Sequence, residues 1–296
     1  MQTIEGIKKR LKTTASLRDI VKSMKTLSAV SVSQYERSAF ALAEYAGNVE
    51  LALRAVLGSE PLPAPLYGTK DSNVIAVIFG TDQGLVGRFN KALADFAMDF
   101  LSHEAHVPAN VSLIVGGRKL ASKIASSGKN IDTLFTMPGS VRIISATAKK
   151  IIMRIDELVS GGSRVYLFYN KKTSGSFEPC EEQILPIPRV FLENVKSRRW
   201  PTHGQPIYTA QSAELMSGFM RQHLFVSVYR ALSNSLASEH FMRMVAMGAA
   251  ENNIEERLEK IRLEYQTRRQ TEITSELIDV VVGAEALAPV RRRALP

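Results

Sequence analysis

The chain has 296 residues, 45% of them hydrophobic and 23% charged, enough to bury a core and to build one or two domains. Its formal charge of +9 implies an acidic partner surface, and its single cysteine, Cys180, excludes an internal disulfide and a multi-cysteine metal site. With no apolar run of about 18 residues and no basic-then-apolar order at Met1–Glu5, neither a membrane span nor a secretory signal is expected, and a reducing cytosol is the expected compartment.

The first predicted element is a helix of unusual length. No Gly or Pro falls between Gly6 and Gly47, and the next breaks are Gly58, Pro61, Pro63 and Pro65. Ile4, Ile7, Leu11, Leu17, Ile20, Met24 and Leu27 read as an apolar helical stripe. A helix from Thr3 to Leu57 would be roughly 80 Å long, too long to pack inside one small domain. Residues 1–40 carry eight basic side chains (Lys8, Lys9, Arg10, Lys12, Arg18, Lys22, Lys25, Arg37) against Glu5, Asp19 and Glu36.

A different texture follows. Val74–Phe79, Val111–Val115 and Val165–Tyr169 are near-continuous apolar runs that read as buried strands. Helical stretches are expected around Asn90–Leu101, Arg118–Ser127 and Ala146–Val159, so this region predicts a small, largely parallel α/β domain. Phe177–Ile187 adds an edge strand interrupted by Pro179 and stopped by Pro186 and Pro188, and residues 197–206 read as linker. From Ile207 to Ala288 there is no proline. Ile254, Leu258, Ile261, Tyr265 and Arg268 keep a four-three-four-three rhythm, as a coiled-coil seam does. A helix from Ala210 to Val282 would run on the order of 110 Å. Its segment from Thr209 to Pro296 balances eleven basic against eleven acidic residues and ends on Arg291-Arg292-Arg293.

Four segments result: a long helix over 1–58, an α/β insert over 70–196, a second long helix over 207–288 and a basic tail over 289–296. Apolar stripes on helices so long must cover each other, most simply as an antiparallel pair. The expected form is a rod with a knob.

No catalytic constellation is visible. Gly80–Asn90 lies between a strand and a helix but lacks both Gly-x-Gly-x-x-Gly and the Gly-Lys-Ser/Thr ending of a phosphate loop. Its glycines are expected to serve turn geometry, with Asp82 holding the turn. His103, His106, His203, His223 and His240 show no metal spacing. Glu181 and Glu182 beside Cys180 disfavour a thiolate there.

Several runs resemble one known family. Ser238-Glu239-His240-Phe241-Met242-Arg243-Met244-Val245-Ala246-Met247 resembles a Ser-Glu, Arg-Met, Ala-Met run of the gamma subunits of F-type rotary ATP synthases. Tyr265–Leu277 is similar to their Tyr-Asn-x-x-Arg-Gln-x-x-Ile-Thr-x-Glu-Leu signature. Ile20–Lys25 and Gly80–Asn90 match two further elements, and the order holds along essentially the whole chain. Gln83, Val86, Ser31-Val32-Ser33 and Gly248 depart from the pattern and suggest a divergent branch.

The resemblance implies a long antiparallel coiled coil of the terminal helices with an inserted Rossmann-like α/β domain. It implies a non-catalytic rotor stalk, peripheral at the cytoplasmic face of the bacterial inner membrane and without a cofactor or metal of its own. Its partners would be the alpha and beta subunits of the catalytic ring, the epsilon subunit and the c-subunit ring. Arg269, Gln270 and Thr274, with Met24 and Lys25, match positions that meet loops of the catalytic subunits. Lys8, Lys9, Arg10, Lys12 and Lys22 form a basic helix face toward the same neighbours. Two readings compete from the residues alone: a basic coiled coil gripping nucleic acid, and an α/β enzyme with helical arms. The neutral second helix and the lack of basic-aromatic interleaving oppose the first; the lack of catalytic groups opposes the second.

Overall fold

A computed structural model describes residues 3–59, 73–103, 111–159, 163–200, 204 and 208–287. The breaks at Pro61, Pro63, Pro65 and Pro206 and the basic tail lie outside the described residues. The elements run α1 (Ile4–Ser59), β1 (Val74–Phe79), α2 (Phe89–His103), β2 (Val111–Gly116), α3 (Arg118–Ala125) and β3 (Thr133–Phe135), then α4 (Val141–Leu158), β4 (Arg164–Lys172), β5 (Phe177–Leu185), α5 (Arg189–Ser197) and α6 (Ser212–Leu287). Helices α1 and α6 have 56 and 76 residues. Thr3 caps α1, its hydroxyl accepting the Gly6 N–H at 3.3 Å. Among the described residues, no helix is long and apolar enough to cross a membrane.

The described residues form two packed units. One is Thr26–Ala246; the other joins the residues up to Lys25 with those from Met247 onward.

In the first unit the strands order β3-β2-β1-β4-β5, parallel except for β5, which pairs antiparallel with β4 at the edge. An edge position tolerates Pro179, which lacks the N–H an interior strand would need. All six side chains of β1 are buried, and they alternate between two cores. Ile75, Val77 and Phe79 face α4 (Ile144, Ala148, Ile151, Ile155), α6 (Leu224, Val228, Leu232, Leu236) and Tyr35 of α1. Val74, Ala76 and Ile78 face α2 (Leu93, Ala97) and α3 (Leu120, Ile124). A strand buried on both faces must be apolar throughout, which is why β1 reads as an unbroken run. A smaller cluster joins Leu53 and Leu57 of α1 to Leu192 and Val195 of α5. Here α1 and α6 run antiparallel, their paired residues climbing on one helix as they fall on the other. Tyr35 stacks on His240 at 5.4 Å, Ser38 meets Tyr229 at 2.6 Å, and Tyr45 donates to Gln222 at 2.8 Å.

The second unit is a helix pair of the same sense. Lys25 Nζ lies 2.9 Å from Glu251 and Arg10 lies 3.7 Å from Glu264. On α6 the predicted seam holds: Leu258 and Ile261 are buried, Ile254, Tyr265 and Arg268 half-buried, and the residues between are exposed. On α1 the predicted stripe needs correction. Ile7 is buried and Ile4 and Leu11 are half-buried, but Leu17, Ile20 and Leu27 are 49%, 57% and 67% exposed. The inward rhythm runs Ile7, Leu11, Thr14, Arg18, Val21, Lys25, Ser28, Val32, Tyr35, alternating steps of four and three throughout. A heptad seam needs constant phase. The sequence stripe breaks that phase after Leu11 and continues along an outward face.

Three elements of the insert also differ from expectation. Helix α4 starts at Val141, five residues earlier than read, because Val141, Ile143 and Ile144 imitate a strand. Strand β3 is too short to show a period. Strand β5 ends at Leu185, before Pro186 and Pro188 as expected, but helix α5, which was not expected, starts directly after Pro188, its N-cap.

Candidate partner-contact surfaces

Among the described residues, nothing packs against the end of α6. Every described side chain from Arg269 to Ala284 is exposed, among them Ile273, Leu277, Ile278, Val280, Val281 and Val282. Arg269 and Gln270 stand on this bare length with their polar groups outward. Thr274 is also exposed, but its hydroxyl donates to the Gln270 carbonyl at 2.8 Å, a local bond within the helix. A solvated helix is normally polar all round. This one is apolar on several faces.

Among the basic residues of α1, Lys8, Lys9, Lys12 and Lys22 are exposed, whereas Arg10 and Lys25 turn to carboxylates on α6. Glu251 is nearly buried under Lys25, so this ammonium sits on the seam and contributes little outward charge. Met24 is half-buried beside it, and the outward neighbours are the apolar Leu17, Ile20 and Leu27. Along α6, Glu251 and Arg269 are roughly 27 Å apart at helical rise. The sequence-predicted contact residues therefore divide into two patches set apart along the helix pair, Met24 with Lys25 and Arg269 with Gln270 and Thr274.

The Gly80–Asn90 loop shows why the sheet has no open ligand crevice. In α/β sheets that crevice lies beyond the carboxyl ends of the strands where chain order reverses, here between β1 and β4. Asn90 bridges the loop, accepting the Thr81 N–H at 3.0 Å and donating to the Thr81 hydroxyl at 2.8 Å. Asp82 accepts the Arg118 N–H at 3.0 Å and the Met137 N–H at 2.7 Å. Its carboxylate thus occupies the N-terminus of α3, a position suited to a bound anion. Gly117, at φ 93°, lets the two loops close; a Cβ there would lie 2.5 Å from the Thr81 backbone. From above, Ser235 of α6 donates to the Phe79 carbonyl at 2.8 Å. The protein fills this crevice with its own side chains.

The run Ser238–Met247, legible in sequence only as a family resemblance, places a charged pair in the core. Glu239 and Arg243 are both buried and form an i,i+4 ion pair, with Arg243 Nη1 3.3 Å from His240 Nδ1. Burial pushes the Glu239 carboxyl up to about 7, while Arg243 beside it works to hold it down. Burial, assisted by the Arg243 charge, pushes His240 down to about 4, so the ring that stacks on Tyr35 is neutral at pH 7. No helical period could reveal this pair, because charges four apart usually mark a solvated face.

Cys180 is half-buried and its thiol donates to the Tyr169 carbonyl at 3.3 Å. Burial is the main cause that pushes it up to about 11, more than the neighbouring carboxylates expected from sequence. It is a poor nucleophile. Among the described residues, no group of three or more His, Cys, Asp or Glu converges as metal ligands would.

Comparison with known proteins finds relatives over nearly the whole chain. A family profile described as ATP synthase matches residues 3–287. The ATP synthase gamma chain of Heliobacterium modesticaldum is 29% identical over 97% of this chain and 100% of its own length. That of Bdellovibrio bacteriovorus is 28% identical over 97% and 99%. Among solved structures, a rotor chain of the Euglena gracilis mitochondrial ATP synthase superposes with a TM-score of 0.62 at 15% identity, covering 91% of this chain and 98% of that one. A chain of the central stalk and c-ring of the Tetrahymena thermophila enzyme gives 0.56 at 21% identity, covering 78% and 99%. At such identities the two structures speak for the fold, and the profile match carries the assignment: the chain belongs to the ATP synthase family.

Proposed function

We propose that the chain is the central rotor stalk, the gamma subunit, of a bacterial F-type ATP synthase. It couples ion flow through the membrane sector to ATP synthesis or hydrolysis in a ring of alpha and beta subunits. The observation that carries the reading is the bare, apolar end of α6 beyond Arg268. Exposed apolar surface of this extent marks a place where other protein packs.

On this reading residues 1–58 and 207–288 form the shaft inside the ring, and residues 70–196 form a foot toward the epsilon subunit and the c-subunit ring. The chain is peripheral, at the cytoplasmic face of the inner membrane. ATP binds to the neighbours, and this chain supplies no catalytic group. A shaft presents a different side to each neighbour at any moment. The sites are then driven through different conformations by differential contact, as conformational coupling requires. Arg269 and Gln270 catch polar loops of the catalytic subunits, since the guanidinium offers five fixed donors to a carboxylate. Thr274 joins that catch, Met24 and Lys25 meet an acidic segment of the catalytic subunits, and Lys8, Lys9, Arg10, Lys12 and Lys22 guide approach by long-range attraction.

The nucleic-acid reading is weakened by the pairing of Arg10 and Lys25 within the chain. Arg269→Ala with Gln270→Ala is expected to lower ATP-coupled turnover of the assembled complex at least about ten-fold, as the loss of several charge-assisted bonds implies. The isolated chain should keep its helical circular dichroism. Unchanged turnover would remove these two residues from the mechanism.

A further inference from the structure

In the unit Thr26–Ala246, three elements distant in sequence leave a groove of about 840 Å3. One wall is α1 with Gln34, Arg37, Ala41 and Leu42; the other is the start of α4 with Val141, Arg142 and Ser145. Phe225 and Tyr229 of α6 form the floor, their rings 5.9 Å apart. The lining is mostly apolar, and its charges have one sign: Arg37 and Arg142, with no Asp or Glu. Neither arginine has an ion-pair partner among the described residues. The acid nearest in sequence on α1, Glu36, is held instead by Lys172 at 2.6 Å. The first turn of α4 carries no acid, and Ser140 at its N-cap makes no side-chain capping bond, which adds to the positive potential at that wall.

We propose that this groove docks an acidic amphipathic helix of another protein subunit. Apolar side chains of such a helix would cover Leu42, Val141 and Phe225, and carboxylates on its flank would meet Arg37 and Arg142. An apolar trough between helices is the surface that receives an amphipathic helix, anchored at helical spacing. The uniform positive rim excludes a basic or neutral occupant by leaving arginines unanswered. The site is distinct from the α6 end and from the sheet crevice filled by Asp82 and Ser235. It rests on the stalk reading only for the complex in which the partner is sought.

The test uses that complex, with the photoreactive residue p-benzoylphenylalanine replacing Ala41 or Ser145 on the two walls, and Met153 as an exposed control away from the groove. The expected result is an adduct from both walls on one partner segment in which Asp or Glu alternates with apolar residues at helical spacing. Its yield should fall about ten-fold when Arg37→Glu and Arg142→Glu are combined, and should fall as salt is raised. Adducts no stronger than those of the Met153 control would overturn the proposal. So would adducts on a segment without acids, on a second copy of this chain, or within this chain, and so would a yield indifferent to the charge reversals. Co-purification with the catalytic ring and ATP turnover are measured on the same preparations. A chain that assembles and couples but gives no wall adduct loses the groove alone; one that never assembles loses the stalk reading.

Discussion

The two units solve helix packing with different materials. Around the sheet, α1, α4 and α6 close on a strand buried on both sides, and Val228, Leu232 and Leu236 of α6 pack into that core beside buried small polar residues such as Ser235. Between the chain ends, the inward positions of α1 alternate Ile7, Leu11 and Val21 with Thr14, Arg18 and Lys25, and carboxylates on α6 answer two basic residues of α1, Arg10 and Lys25. Apolar packing fixes one arrangement at high density. Half-exposed ion pairs each contribute little and tolerate rearrangement. The first unit is built to hold a shape, and the second to keep register while offering its outer surface to other proteins.

That contrast can be broken by substitution. The largest effect is expected at Phe168, fully buried against α2: Phe168→Ala should cost the isolated chain about 3–5 kcal/mol. Leu277→Ala, on the bare end of α6, should stay within about 0.5 kcal/mol in the same denaturant titration. Equal losses would show that the α6 end packs within the chain after all.

A smaller effect concerns acid. His240 is half-buried against Tyr35, beside Glu239 and Arg243, and folding lowers its proton affinity to a pKa of about 4 from 6.5. The unfolded chain therefore takes up the proton first. The resulting stability is fully present above about 6.5 and is lost as pH falls toward about 4. His240→Phe should change the pH slope of thermal melts over that window by removing its share, leaving the parallel contribution of His223 and the opposing one of Glu239, whose raised pKa of about 7 gives stability that is lost as pH rises. An unchanged slope would mean that His240 is accessible to protons in the folded protein. The smallest effect is expected at the seam: Lys25→Ala should cost less than about 1 kcal/mol and matter less still at high salt.

Legibility in the sequence followed the same divide. The buried strands β1, β2 and β4 were plain because two-sided burial leaves no polar interruption, and the α6 seam was plain because Ile254 to Arg268 keeps one phase. On α1 the sequence offers two apolar stripes, and only contact with α6 distinguishes the inward one. Leu17, Ile20 and Leu27 looked like core for that reason. Arg269 and Gln270 were singled out only through their resemblance to a family signature, because on a solvated helix face an Arg-Gln pair has no pattern of its own. The buried Glu239–Arg243 pair and the Arg37–Arg142 groove were not legible as chemistry. The pair looks like any solvated i,i+4 contact, and the groove joins residues about a hundred positions apart.

The carboxylate of Asp82 at the head of α3 has a last consequence. An α/β layer of this order commonly seats a diffusible phosphate and shifts as that ligand comes and goes. Here the anion is tethered to the backbone and never leaves, and Ser235 stoppers the cleft beside it. The helix N-terminus that could hold a phosphate is thus already answered from within the chain.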